Sequence, residues 1–118
     1  MNKELDKFGE IFMLEVRDRT IRAYDKILDG TMKGVIAEQV RDTLSDFDAE
    51  QIEKIKWLIP KIVDTELHKF LYLIESSDEI DLLFHQQEIK ELSDGLSGEL
   101  YTEDGWIMKY SQERYEEI

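Results

Sequence analysis

Apolar residues recur every three or four positions over most of the chain, which is the spacing of amphipathic helices. The first such stretch covers residues 2–29 and ends at Asp29-Gly30, a helix stop signal. A second, shorter stretch covers residues 32–44. It is expected to turn four side chains inward: Val35, Ile36, Val40 and Leu44. The spacing therefore predicts two N-terminal helices.

The clearest pattern follows Asp48, which has the spacing of a capping box with Gln51. The apolar stripe keeps its phase across Pro60, the only proline of the chain. We therefore expect one helix over about residues 49–75, kinked at Pro60, rather than two helices that meet there. The residues expected to be buried are Ile55, Ile59, Ile62, Val63, Phe70, Leu71 and Ile74.

Ser76 and Glu79 repeat the capping-box spacing and predict a further helix through Ile80, Leu83 and Phe84 toward Leu92. The pattern then changes, because glycines become frequent and two short segments rich in aromatic and β-branched residues flank a turn at Glu103-Asp104-Gly105. We expect a β-hairpin over about residues 99–110, packed on the helices, and a short helix over 111–118.

Together these elements predict a mainly α fold: a single domain over residues 1–118, in which a small bundle of four to five helices (1–93) carries one C-terminal β-hairpin. No apolar run approaches the roughly 20 residues that cross a bilayer. The N-terminal residues carry acids where a signal peptide needs a positive flank. The chain has no cysteine, which excludes disulfides and thiolate chemistry. We therefore expect a cytoplasmic protein.

The charge of the chain is strongly negative and unevenly distributed. There are 28 acidic and 15 basic side chains, and residues 75–118 contain 13 of the acids but only three basic residues. Phosphate contacts need clustered Lys and Arg, so we expect no nucleic-acid partner and no anionic membrane surface. A basic protein partner suits this charge; the alternative is that the acidity serves solubility alone.

Two histidines offer the main candidate chemistry. His68 follows Asp64 by one helical turn, and His85 precedes Glu88 by three residues, so neighbouring helices could present these four side chains to a metal ion. The alternative is ordinary pairing of each histidine with its neighbouring acid. Because no third ligand group is evident, we expect no metal, no cofactor and no catalytic residues.

The predicted hairpin carries more aromatic and aliphatic side chains than one face of a two-stranded ribbon can bury, and acids frame it. This combination is typical of an interface for a cationic partner. The candidate partner-binding residues are Glu99, Tyr101, Glu103, Asp104, Trp106 and Glu113. The alternatives are that the protein's own helices or a homodimer mate cover the hairpin. The second candidate surface is the basic helix face of Arg19, Arg22 and Lys26.

The sequence thus favours a non-enzymatic acidic interaction domain that binds a basic protein partner. One instance is an immunity protein that inhibits a nuclease-type toxin, because the substrate cleft of a nuclease is itself basic. Two alternatives remain: a helical metal-dependent enzyme that uses Asp64, His68, His85 and Glu88, or a structural subunit of a homo-oligomer.

Overall fold

In the computed structural model, which describes residues 2–116, the N-terminal quarter of the chain forms one long helical rod. The rod consists of α1 (Lys3–Phe12), a π-helical turn (Met13–Arg17) and α2 (Asp18–Asp29). The Asn2 side chain caps its start by accepting a hydrogen bond from the Leu5 N–H at 3.0 Å. Gly30 ends the rod in the left-handed conformation (φ 79°), which glycine adopts without strain. The predicted helix over residues 2–29 is confirmed.

The inward side of the rod continues through the π turn. Leu5, Gly9 and Met13, the first residue of the turn, are buried at intervals of four residues, and Arg17 and Ile21 continue this interval. A π turn places one extra residue in the helical circuit. As a result the adjacent residues Arg17 and Asp18 are both fully buried.

Helix α3 (Val35–Thr43) is shorter than predicted and contacts α2. Ala37 is buried there, whereas Val35 and Ile36 are 71% and 63% exposed. The prediction that Val35 and Ile36 point inward is wrong. A nine-residue helix that rests on one neighbour buries a narrow stripe, and this stripe passes through Ala37 rather than through the first two residues.

Helix α4 (Ala49–Ser76) continues through Pro60 as one element, as predicted. At its start Asp48 and Gln51 form the predicted capping box, with hydrogen bonds of 2.8 and 2.9 Å. Its buried residues are Ile59, Pro60, Asp64, Leu67, Leu71 and Ile74.

Two residues of α4 that were expected in the core are exposed: Ile62 by 57% and Phe70 by 42%. The α1–α2 rod and the segment after residue 96 pack on the side of α4 that contains Leu67 and Leu71. At about 100° per residue, Ile62 points well away from Leu67 and lies outside the covered side. The apolar stripe of α4 is therefore wider than the surface that its neighbours cover.

The predicted helix over residues 76–92 is wrong. The Ser76 hydroxyl donates to the Tyr72 carbonyl at the end of α4, and the chain then enters an antiparallel hairpin of β1 (Leu83–Phe84) and β2 (Gln87–Glu88). The two turn residues between the strands, His85 and Gln86, have φ angles of 49° and 69°. These positive angles at both central positions are those of a tight hairpin turn.

The rest of the chain is made of short elements. They are two 3₁₀ turns, Ile89–Leu92 and Leu96–Leu100, and helix α5 (Trp106–Tyr110). Thus the fold class is confirmed, a mainly helical single domain with one two-stranded hairpin, but the hairpin lies at 83–88 and not at 99–110. Residues 111–116 are not helical, which corrects the predicted terminal helix; its last two residues lie outside the described part of the chain.

The core lies where α1, α4, the 3₁₀ turns and α5 meet. The Trp106 indole is 2% exposed, and it packs edge-on against Phe8 and Phe12 with ring centroids 5.7 and 6.4 Å apart. Gly9 makes this possible, because a Cβ atom at Gly9 would overlap the indole. Trp106 is the first residue of α5, and its indole packs on α1 at Gly9. We attribute the absence of the predicted strand to this packing.

Candidate functional site

The six predicted partner-binding residues do not form one exposed surface. Trp106 is buried in the core and is not available as an exposed anchor, so that part of the prediction is wrong. Glu99 is half-buried and accepts a hydrogen bond from the Ser93 hydroxyl at 2.6 Å. Glu103 and Asp104 are exposed in the turn before α5. Glu113 lies apart from them, 3.5 Å from the guanidinium of Arg22.

Tyr101 lines a groove of about 610 Å³ between α4 and the C-terminal segment. Its ring lies against the His68 ring with centroids 5.6 Å apart. Burial raises the pKa of the Tyr101 hydroxyl, and the nearby carboxylate of Asp64 raises it further. Trp57 and Tyr115 add aromatic walls. The walls of the groove are therefore partly apolar, and the Tyr101 side chain in them is half-buried.

The cations of the groove are already paired with acids. The guanidinium of Arg114 donates to both carboxylate oxygens of Asp25 at 2.7 and 3.0 Å. Lys61 lies 3.4 Å from Glu116, and Lys56 forms an ion pair with Asp29. These pairs leave the groove without a strong excess of positive charge for an anionic ligand.

The four residues of the metal-site alternative lie in different surroundings. Asp64 is bound to Arg17, and His85 Nδ1 lies 2.5 Å from Glu4 Oε2 on α1. His68 faces Tyr101, while Glu88 lies beside Asp81. Within residues 2–116 no group of three or more histidine and acidic side chains is arranged to hold a metal ion. The structure thus does not bring together the ligand set that this alternative requires.

Two of the three cations of the basic helix face, the second candidate surface, pair with neighbouring acids. Arg19 pairs with Glu15 at 3.0 Å, and Arg22 with Glu113 at 3.5 Å. Lys26 is exposed on the same helix. Exposed pairs of this kind contribute little energy and are common on helix surfaces.

A strongly acidic surface lies on the segment between α4 and α5. Residues 77–105 contain nine acids and one basic residue, Lys90. We call the following side chains the acidic surface: Asp78, Glu79, Asp81, Glu88, Glu91 and Asp94. All are exposed except Glu88, which is half-buried. Lys90 is largely covered, and its ammonium group lies 3.3 Å from Asp81. It therefore offsets one of these negative charges and leaves the others without a basic partner in this segment.

Within the acidic surface the carboxyl groups of Asp81 and Glu88 lie close together. Hydrogen bonding with Asp81 when one of the two groups is protonated raises the pKa of Glu88, and the interactions with Glu88 and Lys90 lower the pKa of Asp81. A raised pKa next to a lowered one is the behaviour of two like charges that are held close together. The hairpin therefore concentrates negative charge at its base.

Two aliphatic side chains emerge among these acids. Leu83 on β1 is 60% exposed, and its cross-strand partner is Glu88. Ile80, just before the hairpin, is 42% exposed. Sequence reasoning missed both, because it assigned them to the inner face of a helix. The segment that contains the hairpin thus exposes both aliphatic and acidic side chains, whereas Trp106 is buried.

A buried polar network ties the C-terminal segment to the helices. The Arg17 Nη1 donates to the Ser111 hydroxyl at 2.7 Å, and that hydroxyl donates to Asp18 at 2.5 Å. The backbone N–H of Gln112 donates to the second oxygen of Asp18 at 2.8 Å. The one signal in the sequence is the position of Arg17, midway between Met13 and Ile21 on the apolar stripe. Its partners on other elements hold the groove in shape.

No family model matches the chain, and comparisons with curated proteins and with solved structures find no significant match. Among the described residues no helix is both long enough and apolar enough to cross a bilayer. The candidate site therefore has to be judged on its own geometry.

Proposed function

We propose that the protein is a non-enzymatic interaction domain that binds a basic protein partner through the acidic surface around the hairpin. The observation that carries the proposal is the exposure of Leu83 and Ile80 within that surface. One such domain would be an immunity-type protein that inhibits a nuclease-like toxin. A cytoplasmic location belongs to the same proposal, since a chain without cysteine suits a reducing compartment.

The charge of the surface supports capture of a cationic partner. Nine acids face a single lysine over residues 77–105, and that lysine already pairs with Asp81. A surface with one sign of charge steers an oppositely charged protein toward it and raises the association rate, most strongly at low ionic strength. The basic substrate cleft of a nuclease presents the complementary charge.

The exposed aliphatic residues support a specific contact rather than diffuse attraction. Binding energy at protein interfaces concentrates in a few central residues that become fully desolvated, whereas rim charges contribute mainly to the encounter. Leu83 stands on a strand of the hairpin, where the backbone is fixed by pairing with Glu88. Insertion of Leu83 into an apolar pocket beside a basic cleft would bury it at low entropic cost.

The test is direct binding of the purified protein to a basic nuclease-type protein encoded next to its gene. Titration calorimetry at low and at high ionic strength is expected to show an affinity that falls steeply with salt, together with loss of nuclease activity on complex formation. The test variant is Asp78→Lys/Glu91→Lys, which should bind weakly and inhibit poorly. A partner that binds equally well at both ionic strengths and to this variant would overturn the proposal.

A further inference from the structure

The outward face of α4 carries exposed aliphatic side chains in both halves of the helix. Four aliphatic side chains follow one another at steps of three, four and eleven residues, which keeps them on one side of the helix. They are Ile55, Leu58, Ile62 and Leu73. Leu58, Ile62 and Leu73 are 44%, 57% and 44% exposed, and Ile55 is half-buried. We call these four residues the α4 stripe.

The apolar surface continues from α4 onto the neighbouring rod. Phe70, 42% exposed at the edge of α4, lies against Phe12 of α1 with ring centroids 6.0 Å apart. Val16, one turn after Phe12, is 39% exposed. The α4 stripe is thus part of a patch wider than a single helix, and patches of that extent on soluble proteins mark interaction sites.

The chain is more elongated, and exposes more surface, than a compact monomer of its size. Its accessible surface is 8008 Å², whereas a compact monomer of 14.0 kDa is expected to expose about 6,700 Å². The radius of gyration is 16.5 Å, against about 13–14 Å for a compact domain of this length. An elongated chain that exposes aliphatic side chains along its longest helix can pair with a second copy along that helix.

Two charged residues on the same side of α4, between Ile62 and Leu73, indicate how the two copies would align. Glu66 and Lys69 are exposed, and neither forms an ion pair with another residue of the described range 2–116. In an antiparallel pair with its two-fold axis between Leu67 and His68, Glu66 of one copy faces Lys69 of the other. The same axis sets Ile62 opposite Leu73. This register therefore pairs the two charges and also places Ile62 against Leu73.

We propose that a second copy of this chain covers the α4 stripe, with the two α4 helices antiparallel in this register. An isologous interface of this kind closes on itself and uses the same patch from both copies. It rests on residues of α4, whereas the proposed binding of a basic partner rests on residues that follow α4. Dimerisation and partner binding are measured by separate experiments.

Cysteine crosslinking tests the register, since the chain contains no cysteine of its own. A mixture of the Ile62→Cys and Leu73→Cys proteins under mild oxidation is expected to give a covalent heterodimer. Each protein alone should not crosslink, because identical positions lie eleven residues apart along the axis, about 16 Å, beyond the roughly 7 Å that a disulfide spans. Crosslinking of either protein alone, or none in the mixture, would overturn the proposed packing.

Charge reversal tests the same register without cysteine. Glu66→Lys and Lys69→Glu each place like charges opposite one another at two symmetric positions, and each should weaken dimerisation roughly tenfold in sedimentation equilibrium. The double variant Glu66→Lys/Lys69→Glu keeps the net charge of the protein and should restore the dimer. Single variants that leave the dimer unchanged, or a double variant that stays dissociated, would contradict the register.

The last control separates the stripe from exposed apolar surface in general. Ile62→Lys should give a folded monomer, whereas Ile36→Lys, at the similarly exposed start of α3, should remain dimeric. Circular dichroism checks that both variants keep their helices. A wild-type protein that sediments as a monomer at all concentrations would overturn the proposal.

Discussion

The guanidinium of Arg17 holds both carboxylate oxygens of Asp64, with Nε donating at 2.7 Å and Nη2 at 3.1 Å. The two residues are 47 positions apart, and both are buried. Their bond therefore joins the N-terminal rod to the centre of α4. The remaining guanidinium donors reach the Ser111 hydroxyl and the Arg114 carbonyl, so a single side chain also fixes the C-terminal segment.

Replacement of Asp64 by alanine is expected to destabilise the fold strongly. It leaves the Arg17 guanidinium buried without its main partner, a change that typically costs about 3–5 kcal/mol. The measurement is the free energy of unfolding from urea denaturation. Asp46→Ala removes an exposed acid instead and should change this free energy by less than about 0.5 kcal/mol.

The double variant Arg17→Met/Asp64→Leu separates the cost of an unpaired charge from the value of the pair. Replacing both ions with apolar side chains of similar volume is often neutral for stability. The double variant should therefore be more stable than Asp64→Ala. A double variant as unstable as the single one would mean that the links from Arg17 to Ser111 and Arg114, rather than the ion pair, carry the stability.

Replacement of Gly9 by alanine is expected to lower stability although it lies inside a helix. Alanine usually gains about 1 kcal/mol over glycine in a helix interior. Here its Cβ would overlap the Trp106 indole, and overpacking of a core typically costs about 1–3 kcal/mol. Gly98→Ala is the matched control, since nothing lies within 4 Å of a Cβ there. Urea denaturation with tryptophan fluorescence distinguishes the two; equal stability of both variants would contradict the proposed packing.

Glu75 gives the fold a defined dependence on pH. Hydrogen bonds from Ser97, including one from its backbone N–H at 2.7 Å, lower the pKa of Glu75 below its ordinary value of 4.5. A lowered pKa means that the folded state favours the charged form, so this stabilisation is present above pH 4.5 and is lost as the pH falls through the lowered value. Wild type should exceed Glu75→Gln in stability at neutral pH, and the difference should vanish in acid. A pH-independent difference would contradict this cause.

The helices of the chain could be predicted because local signals decide them. The stop at Gly30 and the capping box at Asp48 act within four residues, and the phase of the stripe carries α4 through Pro60. What the pattern could not give is the width of the covered face. Ile62 and Leu71 both fit the apolar spacing, yet only contacts with other elements determine that Leu71 is buried and Ile62 is not.

The segment after α4 was mispredicted because distant contacts outweigh its local signals. Trp106 has a high strand propensity, but the space above Gly9 accepts its indole and favours a helix there. The candidate site lies at a different place from the predicted one for the same reason. The acids of this segment were evident from the composition. The exposure of Leu83 depends on a hairpin turn with positive φ at His85 and Gln86, and the sequence has no glycine there to indicate such a turn.

Binding of the basic partner should separate into two kinetic components. Acids at the rim act through long-range attraction, so Asp78→Lys/Glu91→Lys should slow association and flatten its dependence on salt. A residue desolvated at the centre acts after contact, so Leu83→Ala should mainly speed dissociation, by about thirtyfold if it contributes about 2 kcal/mol. Surface plasmon resonance at two ionic strengths measures both rates.

Matched controls on α3 test whether these effects belong to the acidic surface. Glu38→Lys/Asp42→Lys reverses two exposed acids of α3, and Val35→Ala truncates an aliphatic side chain that is more exposed than Leu83. The charge control should slow association less than the rim variant, because attraction between exposed charges is screened beyond about 10 Å at moderate salt. Val35→Ala should leave dissociation unchanged. If the α3 variants match the hairpin variants, the partner responds to total charge and apolar exposure, and the hairpin is not its docking site.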